Sequence, residues 1–506
     1  MQNQTVIWLT IGLYILFIMT IGVLNARKSK NITEFTVGKR NAGAWISAFS
    51  YGTAYFSAVM FIGYSGGTGW KYGLWGVLPG VGNAIIGSLL AWLVLAKRTR
   101  EVTRRLKIKS MPQFFEKRFN SKGMKIFSVA VIFLFLIPYS ASVYKGLTSV
   151  CSVLLGVEEN VCMIVIAVAS AMIVILGGYG ATLKADFIQG LVMLVGVILL
   201  IVAIMRSDVV GGFNEGMKTI AEKTQQLNLS PVSHIGLWAT VLMTSFGTWG
   251  LPQMIHKYYG IRDDHEVKRG TVISTFFAFI VAGGGYFIGS LARLFFSSLD
   301  EIPGAGAGKT DYLIPNMLSM ASISQVLIGI ILVLLIAASV STLSSITITA
   351  SSTFEMDFLQ GRVLKDGNKV KAARVTKLIC VIFVVLSYLI ANSDTPILDM
   401  MSYSWGIISG SFLAPYLISL YWKKLNSKGA WAGMISGFVT GLPPVICKLM
   451  LPEASLGIFG PVKDLGPHFA CAAMIISAAV CVAVTLMTAK TDNANEHFYD
   501  KSFVLE

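Results

Sequence analysis

Charge is scarce in this sequence. Asp, Glu, Lys and Arg make up 13% of its 506 residues, roughly half the share of an ordinary soluble chain, which excludes a water-soluble globule. Cysteine is thin as well. Cys151, Cys162, Cys380, Cys447, Cys471 and Cys481 stand singly, mostly in apolar runs, with no CxxC and no paired Cys and His. That pattern speaks against a disulfide framework, a zinc site or any transition metal and leaves buried thiols. The five histidines are equally dispersed, so no nucleophile–base or metal set supports an enzyme. Low-complexity stretches and extramembrane domains of useful size are missing too.

What remains is apolar. Hydrophobic residues reach 54% and mean hydropathy is +0.68. Runs of about twenty apolar residues recur from end to end, each long enough to cross a hydrocarbon core of about 30 Å. The fold class is an all-α polytopic membrane protein. Thirteen spans are expected, near 6–26, 44–69, 75–96, 124–155, 160–179, 186–206, 235–256, 270–297, 323–354, 372–392, 396–422, 429–449 and 468–488. They form one transmembrane domain, 1–488, followed by a cytoplasmic tail, 489–506. The first run has no basic residue before it and "RKSK" after it, the polarity of a retained span with its N-terminus outside.

The net charge of +15 is explained by topology rather than by nucleic acid. Threading thirteen spans from an outside N-terminus puts 32 of the 41 Lys and Arg into inside segments, with Lys184 and the "HKYYGIRDDHEVKR" loop among them. The positive-inside rule therefore supports N-out and C-in. The expected partner is the lipid bilayer, and no nucleic acid. The outside segments 207–234 and 298–322 are long enough for short external helices or lids.

Two spans have unusual centres. The second, "AWISAFSYGTAYFSAVMFIGYSGG", has Gly52 and Ser57 amid a small, polar core; the seventh places Gly247, Gly250 and Pro252 close together. One glycine in a span is a packing feature. Polar, glycine-bearing midpoints five spans apart are the mark of discontinuous helices around a midplane site in secondary transporters. Exposed backbone survives at that depth only where it lines a cavity or binds something. In the ninth span, Ala338, Ser341, Thr342 and Ser345 share one helical face, with Ser344 flanking it. Hydroxyls and free carbonyls suit a hard cation, against the plainer reading that they bond back to their own helix.

The stretch "AASVSTLSS" at 337–345 resembles the sodium-binding helix of the sodium:solute symporter family. So do "GWKYGLWG", "KADFIQGLVML" and "MSYSWGIISGSF…LYWKKLNSKGAWAGMISG". The likeness runs from about residue 6 to about 450 and is nearest the proline and pantothenate branch. It implies a leucine-transporter-type core of five plus five helices in inverted repeats, about 44–206 and 235–422. It implies Na⁺-coupled uptake of a small organic solute, a carboxylate such as an amino acid or pantothenate-like compound, by alternating access. No cofactor is implied beyond Na⁺ as the coupling ion. Carried over, the sodium ligands are the carbonyls of Thr53, Phe56 and Ala338 and the hydroxyls of Ser341 and Thr342. A second sodium in some members matches Asp186, Ser344 and Ser345, though Lys184 is a simple alternative partner for Asp186. Ser57, Tyr139, Thr248 and Trp249 are expected to line the solute pocket, with a lipid-facing position or core packing the rival reading for the two aromatics. This chain departs from the proline pattern at Tyr55, Thr244 and Thr248, which speaks against proline itself. Lys145 is expected to snorkel outward and Asp399 to be solvated. A proton-coupled symporter of the same fold, and a channel, are the rival functions. The expected location is the plasma membrane, a bacterial inner membrane.

Overall fold

A computed structural model describes residues 5–26, 40–302, 309–321, 323–360, 369–393, 395–449 and 462–488. The basic stretch 27–30 and the tail 489–506 lie outside the described residues. Helix α1 (Thr5–Ala26) is the first expected span. The second span is interrupted as its centre suggests. Helix α2 (Ala44–Tyr55) stops where Phe56 turns extended, with φ −104° and ψ 111°. The chain resumes in a wide turn, Val59–Tyr64, and then α3 (Ser65–Tyr72). Ser57 starts that second half by accepting the Val59 N–H at 3.3 Å, the work of an N-cap.

Loosely wound segments Asn83–Leu90 and Trp92–Ala96 lead into α4 (Lys97–Arg105), and α5 (Lys122–Leu155) follows. Helix α6 covers Glu159–Met205, 47 residues. Straight, it would measure about 70 Å. Yet Glu159 accepts a hydrogen bond from Tyr312, while Ala203 and Arg206 share a groove with Ala321. Tyr312 and Ala321 flank α12 (Leu313–Met320), so both ends of α6 lie on one side. Its halves run antiparallel, as the two expected spans at 160–179 and 186–206 require.

The external segment 207–234 contains α7 (Phe213–Gln226). The seventh span is broken too. Helix α8 (Pro231–Phe246) tightens at Gly247–Gly250, Leu251 is extended (φ −79°, ψ 122°), and α9 (Pro252–Tyr259) restarts the helix. Pro252 dictates this, since its ring keeps the preceding residue out of helical geometry. Helices α10 (Asp264–Ala278) and α11 (Gly284–Phe295) complete the eighth span. Then come α12, α13 (Gln325–Phe354), α14 (Lys369–Ala391), α15 (Ile397–Tyr421), α16 (Ser427–Gly441) and α17 (Gly466–Met487). Among the described residues there is no strand; an isolated parallel bridge joins Ala42 to Ile261.

The outside of the molecule is greasy. Leu378, Val381, Ile382, Val385 and Leu389 are exposed on α14, a single helical stripe that meets lipid rather than water. Inside, hydroxyls are abundant, and most do bond back along their own helix. Thr68 donates to Tyr64 O at 2.7 Å, Ser387 to Phe383 O at 2.8 Å and Ser411 to Ile407 O at 2.7 Å. That local pairing removes their cost in lipid without any ligand.

Two packing groups result. The broken spans lie with the third and eighth spans, while α5, α6, α13 and α14 pack among themselves. The inner halves of the broken spans are joined by backbone. Ala42 N donates to Gly260 O, and Arg262 N to Ala42 O, both at 3.0 Å. Glu266 on α10 accepts the Ala44 N–H at 2.6 Å, capping α2. Basic residues near the inner ends are structural as well as topogenic. Arg104 reaches the carbonyls of Arg40 and Ile261, and buried Arg118 donates to Leu425 O at 3.0 Å, just beyond the end of α15. Arg100 bonds Asp264.

Toward the outside, α3 and α11 touch backbone to backbone. A Cβ on Gly289 would lie 2.0 Å from Ser65 O, and one on Gly69 would lie 2.2 Å from the Gly289 carbonyl. Neither neighbour can move aside, since both are main chain. Gly289→Ala is expected to lower the melting temperature of the purified protein, at a cost of about 1–3 kcal/mol. Gly283→Ala, whose Cβ would meet nothing within 4 Å, serves as the control and is expected to be neutral or slightly stabilising. Equal melting of the two variants would contradict the close contact.

Candidate ion and solute site

The hydroxyl face of α13 meets the broken second span. Thr342 Oγ1 donates to Thr53 O at 3.1 Å and lies 3.0 Å from Ala338 O. Phe56 has left helical geometry, and Met60 N bonds to Ser57 O rather than to the Phe56 carbonyl. Two carbonyls and a hydroxyl thus meet from the two elements that the sequence paired, with Phe56 at the break beside them. Ser341 points slightly aside, donating to Asp186 Oδ1 at 2.7 Å. Ser341 reaches across to another helix, while Thr342 shares its proton between its own helix, at Ala338 O, and the broken span, at Thr53 O.

Behind them lies a charged pair that sequence reasoning missed. The Lys257 ammonium, on α9, sits 3.1 Å from Asp186 Oδ2, 2.8 Å from Ser50 Oγ and 2.9 Å from Ser345 Oγ. Ser50 also donates to Asp186 Oδ2 at 2.5 Å. Asp186 is 0% exposed and Lys257 4%. The partner of Asp186 is therefore Lys257 and not Lys184, which is exposed on α6. In the sequence Lys257 reads as one more topogenic charge beside an inside loop. Its placement one turn after Pro252, at the end of a broken helix, was the available signal. Ser344 is brought to the same region, but its Oγ has no hydrogen-bond partner.

The residues expected around the solute are all buried near the two breaks, with unequal chemistry. Ser57 is spent on the Val59 N–H, Thr248 donates to Ser245 O at 2.9 Å, and Trp249 Nε1 donates to Ile86 O at 3.1 Å. Tyr139 differs: its hydroxyl has no hydrogen-bond partner. Its ring stands edge-on to Trp405 on α15, with centroids 5.7 Å apart, and Trp405 Nε1 is unpartnered too. Trp405 also packs against Gly247 at the second break. Two departures from the proline pattern prove to be partners, since Tyr55 donates to the Thr244 carbonyl at 2.6 Å. Gly87 makes room for that hydroxyl, as a Cβ there would lie 2.1 Å from it.

Two expectations are corrected. Lys145 does not snorkel; its ammonium donates to Ser393 O at 2.8 Å and Thr395 O at 2.9 Å, holding the turn before α15. Nearby, burial pushes the Asp311 carboxyl up to about 7, and that carboxyl accepts the Ile397 N–H. Asp399 is not solvated but buried, 9% exposed, under the outer segments. At the inner surface Asp263, His265 and Glu266 lie close enough to share a cation. Asp263 is taken by the Glu266 N–H, however, and Glu266 by Ala44 N–H and Arg262.

Two broken spans facing a pair of continuous helices, with oxygens and a buried charge pair between them, define a membrane secondary transporter of the five-plus-five inverted-repeat kind. The profile of the Sodium:solute symporter family matches residues 35–437, and the chain belongs to that family: it is a multi-pass Na⁺-coupled solute symporter and not an enzyme. The sodium/proline symporter of Salmonella typhimurium is 24% identical over 452 residues, covering 87% of this chain and 88% of that one. The osmoregulated proline transporter OpuE of Bacillus subtilis is 25% identical over 501 residues, covering 97% and 96%. Among solved structures, a Na⁺-coupled sialic acid symporter in a substrate-bound outward-open state aligns with TM-score 0.74 at 18% identity, covering 96% of this chain and 98% of that one. Mhp1, a nucleobase-cation-symport-1 family transporter, aligns at 0.59 and 12% identity, covering 93% and 98%.

The Asp186–Lys257 pair has an energetic consequence. Removing one partner strands the other in a dry interior, at a cost of about 3–5 kcal/mol. Asp186→Asn and Lys257→Met are each expected to destabilise the protein in Na⁺-free buffer, and the double variant to recover much of the loss. A double-mutant cycle of melting free energies checks this, with a coupling above about 1 kcal/mol expected. Strictly additive losses would rule the pair out.

Proposed function

We propose that one Na⁺ binds between α2 and α13, held by the carbonyls of Thr53, Phe56 and Ala338 and the hydroxyls of Ser341 and Thr342. The observation that carries this is the Thr342 hydroxyl, set 3.1 Å from Thr53 O and 3.0 Å from Ala338 O. A hard cation takes oxygen ligands, and neutral oxygens bind it without burying a further full charge. Asp186 accepts the Ser341 proton, which turns the lone pairs of that hydroxyl toward the ion. Na⁺ then ties the broken-span group to the group containing α13 and stabilises an outward-facing arrangement ready for solute. Rocking of the broken-span group against the group of α5, α6, α13 and α14, each drawn from both repeats 44–206 and 235–422, delivers both to the cytoplasm.

The solute we infer is a small organic molecule bearing a carboxylate or carbonyl, an amino acid or a pantothenate-like compound. Tyr139 and Trp405 support this, because these two neighbouring groups beside both breaks bond to nothing outside their own pair and leave a donor for an acceptor; Ser57, Thr248 and Trp249 shape the surrounding wall. Relatives named as proline symporters and proline transporters are of this solute class. The Tyr55–Thr244 bond fills the region where this chain departs from the proline pattern, so a solute other than proline is favoured. The bacterial relatives and the positive-inside pattern support a plasma-membrane location. One charge moving through ~100 mV gains about 2.3 kcal/mol. A tenfold Na⁺ gradient adds about 1.4 kcal/mol, enough together for several-hundredfold accumulation of a neutral solute per ion.

Thr342→Ala and Ser341→Ala are expected to raise the half-saturating Na⁺ concentration at least about tenfold, the loss of roughly one ligand. Na⁺-dependent thermal shift of the purified variants measures this before any solute is known, and unchanged Na⁺ affinity in both would refute the assignment. Solute follows from a thermal-shift screen of amino acids, vitamins and other small carboxylates with and without Na⁺, where coupled ligands reinforce each other. With that solute, Tyr139→Phe is expected to weaken its half-saturation about tenfold in proteoliposome uptake; wild-type affinity would remove Tyr139 from the pocket.

A further inference from the structure

We propose that Lys257 is a built-in cation: its ammonium occupies the position bounded by Ser50, Asp186 and Ser345, so that a single Na⁺ travels per cycle. The proposal rests on the reading of the Na⁺ site at Thr53, Phe56, Ala338, Ser341 and Thr342. Asp186, Ser344 and Ser345 form a second oxygen cluster beside that site, on α6 and α13. In this chain two of those three residues already bind Nζ, at 3.1 Å and 2.9 Å, and Ser50 supplies a third oxygen at 2.8 Å.

Charge and geometry agree. Asp186 and Lys257 neutralise each other, and both are sealed from solvent. A Na⁺ bound to the same carboxylate would sit within about 4 Å of the ammonium. At that separation, with effective protein screening, repulsion weakens binding about a thousandfold. The ammonium makes bonds to α2, α6 and α13 from a stem on α9, the same elements that an ion there would join. A tethered cation thus supplies the cross-link of a second ion without entering or leaving. Ser344, the remaining hydroxyl, is left unpartnered, as expected where the cation has moved toward Ser50.

The test is equilibrium binding of radioactive Na⁺ to the purified full-length protein, which needs no solute. The wild type is expected to bind one Na⁺ per chain with a Hill coefficient of 1. Lys257→Ala opens the Asp186 cage and is expected to bind two, with a coefficient approaching 2. Asp186→Asn combined with Lys257→Ala is expected to return to one. Two ions in the wild type, or one in a folded Lys257→Ala variant, overturns the proposal. If Lys257→Ala fails to fold, the wild-type count and Lys257→Arg decide: one ion in each supports the built-in cation, and two in either refutes it. The failures are distinguishable, because a wild type that binds no Na⁺ sinks the earlier reading as well, whereas one that binds two sinks only this one.

Discussion

A peptide carbonyl released from a helix inside a membrane has no water to turn to, and each one left alone costs several kcal/mol. The breaks at Phe56 and Leu251 interrupt the helical pairing at the centres of two spans, and side chains of the surrounding structure bond to carbonyls beside them. Helix α13 brings its hydroxyl face to the first break, while Tyr55 spans from that break to the Thr244 carbonyl at the second. Ser409 on α15 donates to the Gly247 carbonyl in the same way. The oxygen-rich arrangement around the breaks is therefore an answer to a local backbone problem.

The same demand explains the division into two packing groups. Backbone bonds at Ala42, Gly260 and Arg262 fasten the inner halves of the broken spans together, so they behave as one piece. The helices facing them, α5, α6, α13 and α14, form the other. Between the pieces lie side-chain contacts, mainly hydroxyls and one buried ion pair, which can be remade in a second arrangement more readily than interlocked backbone. The close backbone contact at Gly69 and Gly289 lies within the group of the broken spans.

Much of this was legible in the sequence because the signals are local. Span lengths follow from apolar runs, sidedness from Lys and Arg, and the breaks from Gly and Pro within a few residues. The shared face of Ala338, Ser341, Thr342 and Ser345 follows from helical spacing alone. What the sequence hid depends on distant partners. Lys257 carries the same letters as a topogenic lysine, and only the fold places it against Asp186. Lys145 and Asp399 were misjudged because proximity to a span end resembles solvent access until external segments cover them. Trp405 lies within a motif noted for resemblance, but its unpartnered Nε1 emerges only when Tyr139 and Gly247 are brought alongside.

The position of Lys257 also bears on the economy of the cell. A transporter that moves two Na⁺ per solute can in principle square the accumulation ratio reached with one, but each turnover then obliges the ion pumps to return two ions. A lysine side chain stays attached to the protein and dissipates nothing. Under the one-ion stoichiometry proposed above, holding α2, α6 and α13 together with a tethered charge lowers the ceiling of enrichment and halves the ionic expense of each molecule taken up. That balance suits a solute present outside at useful concentration, collected continuously rather than scavenged from traces.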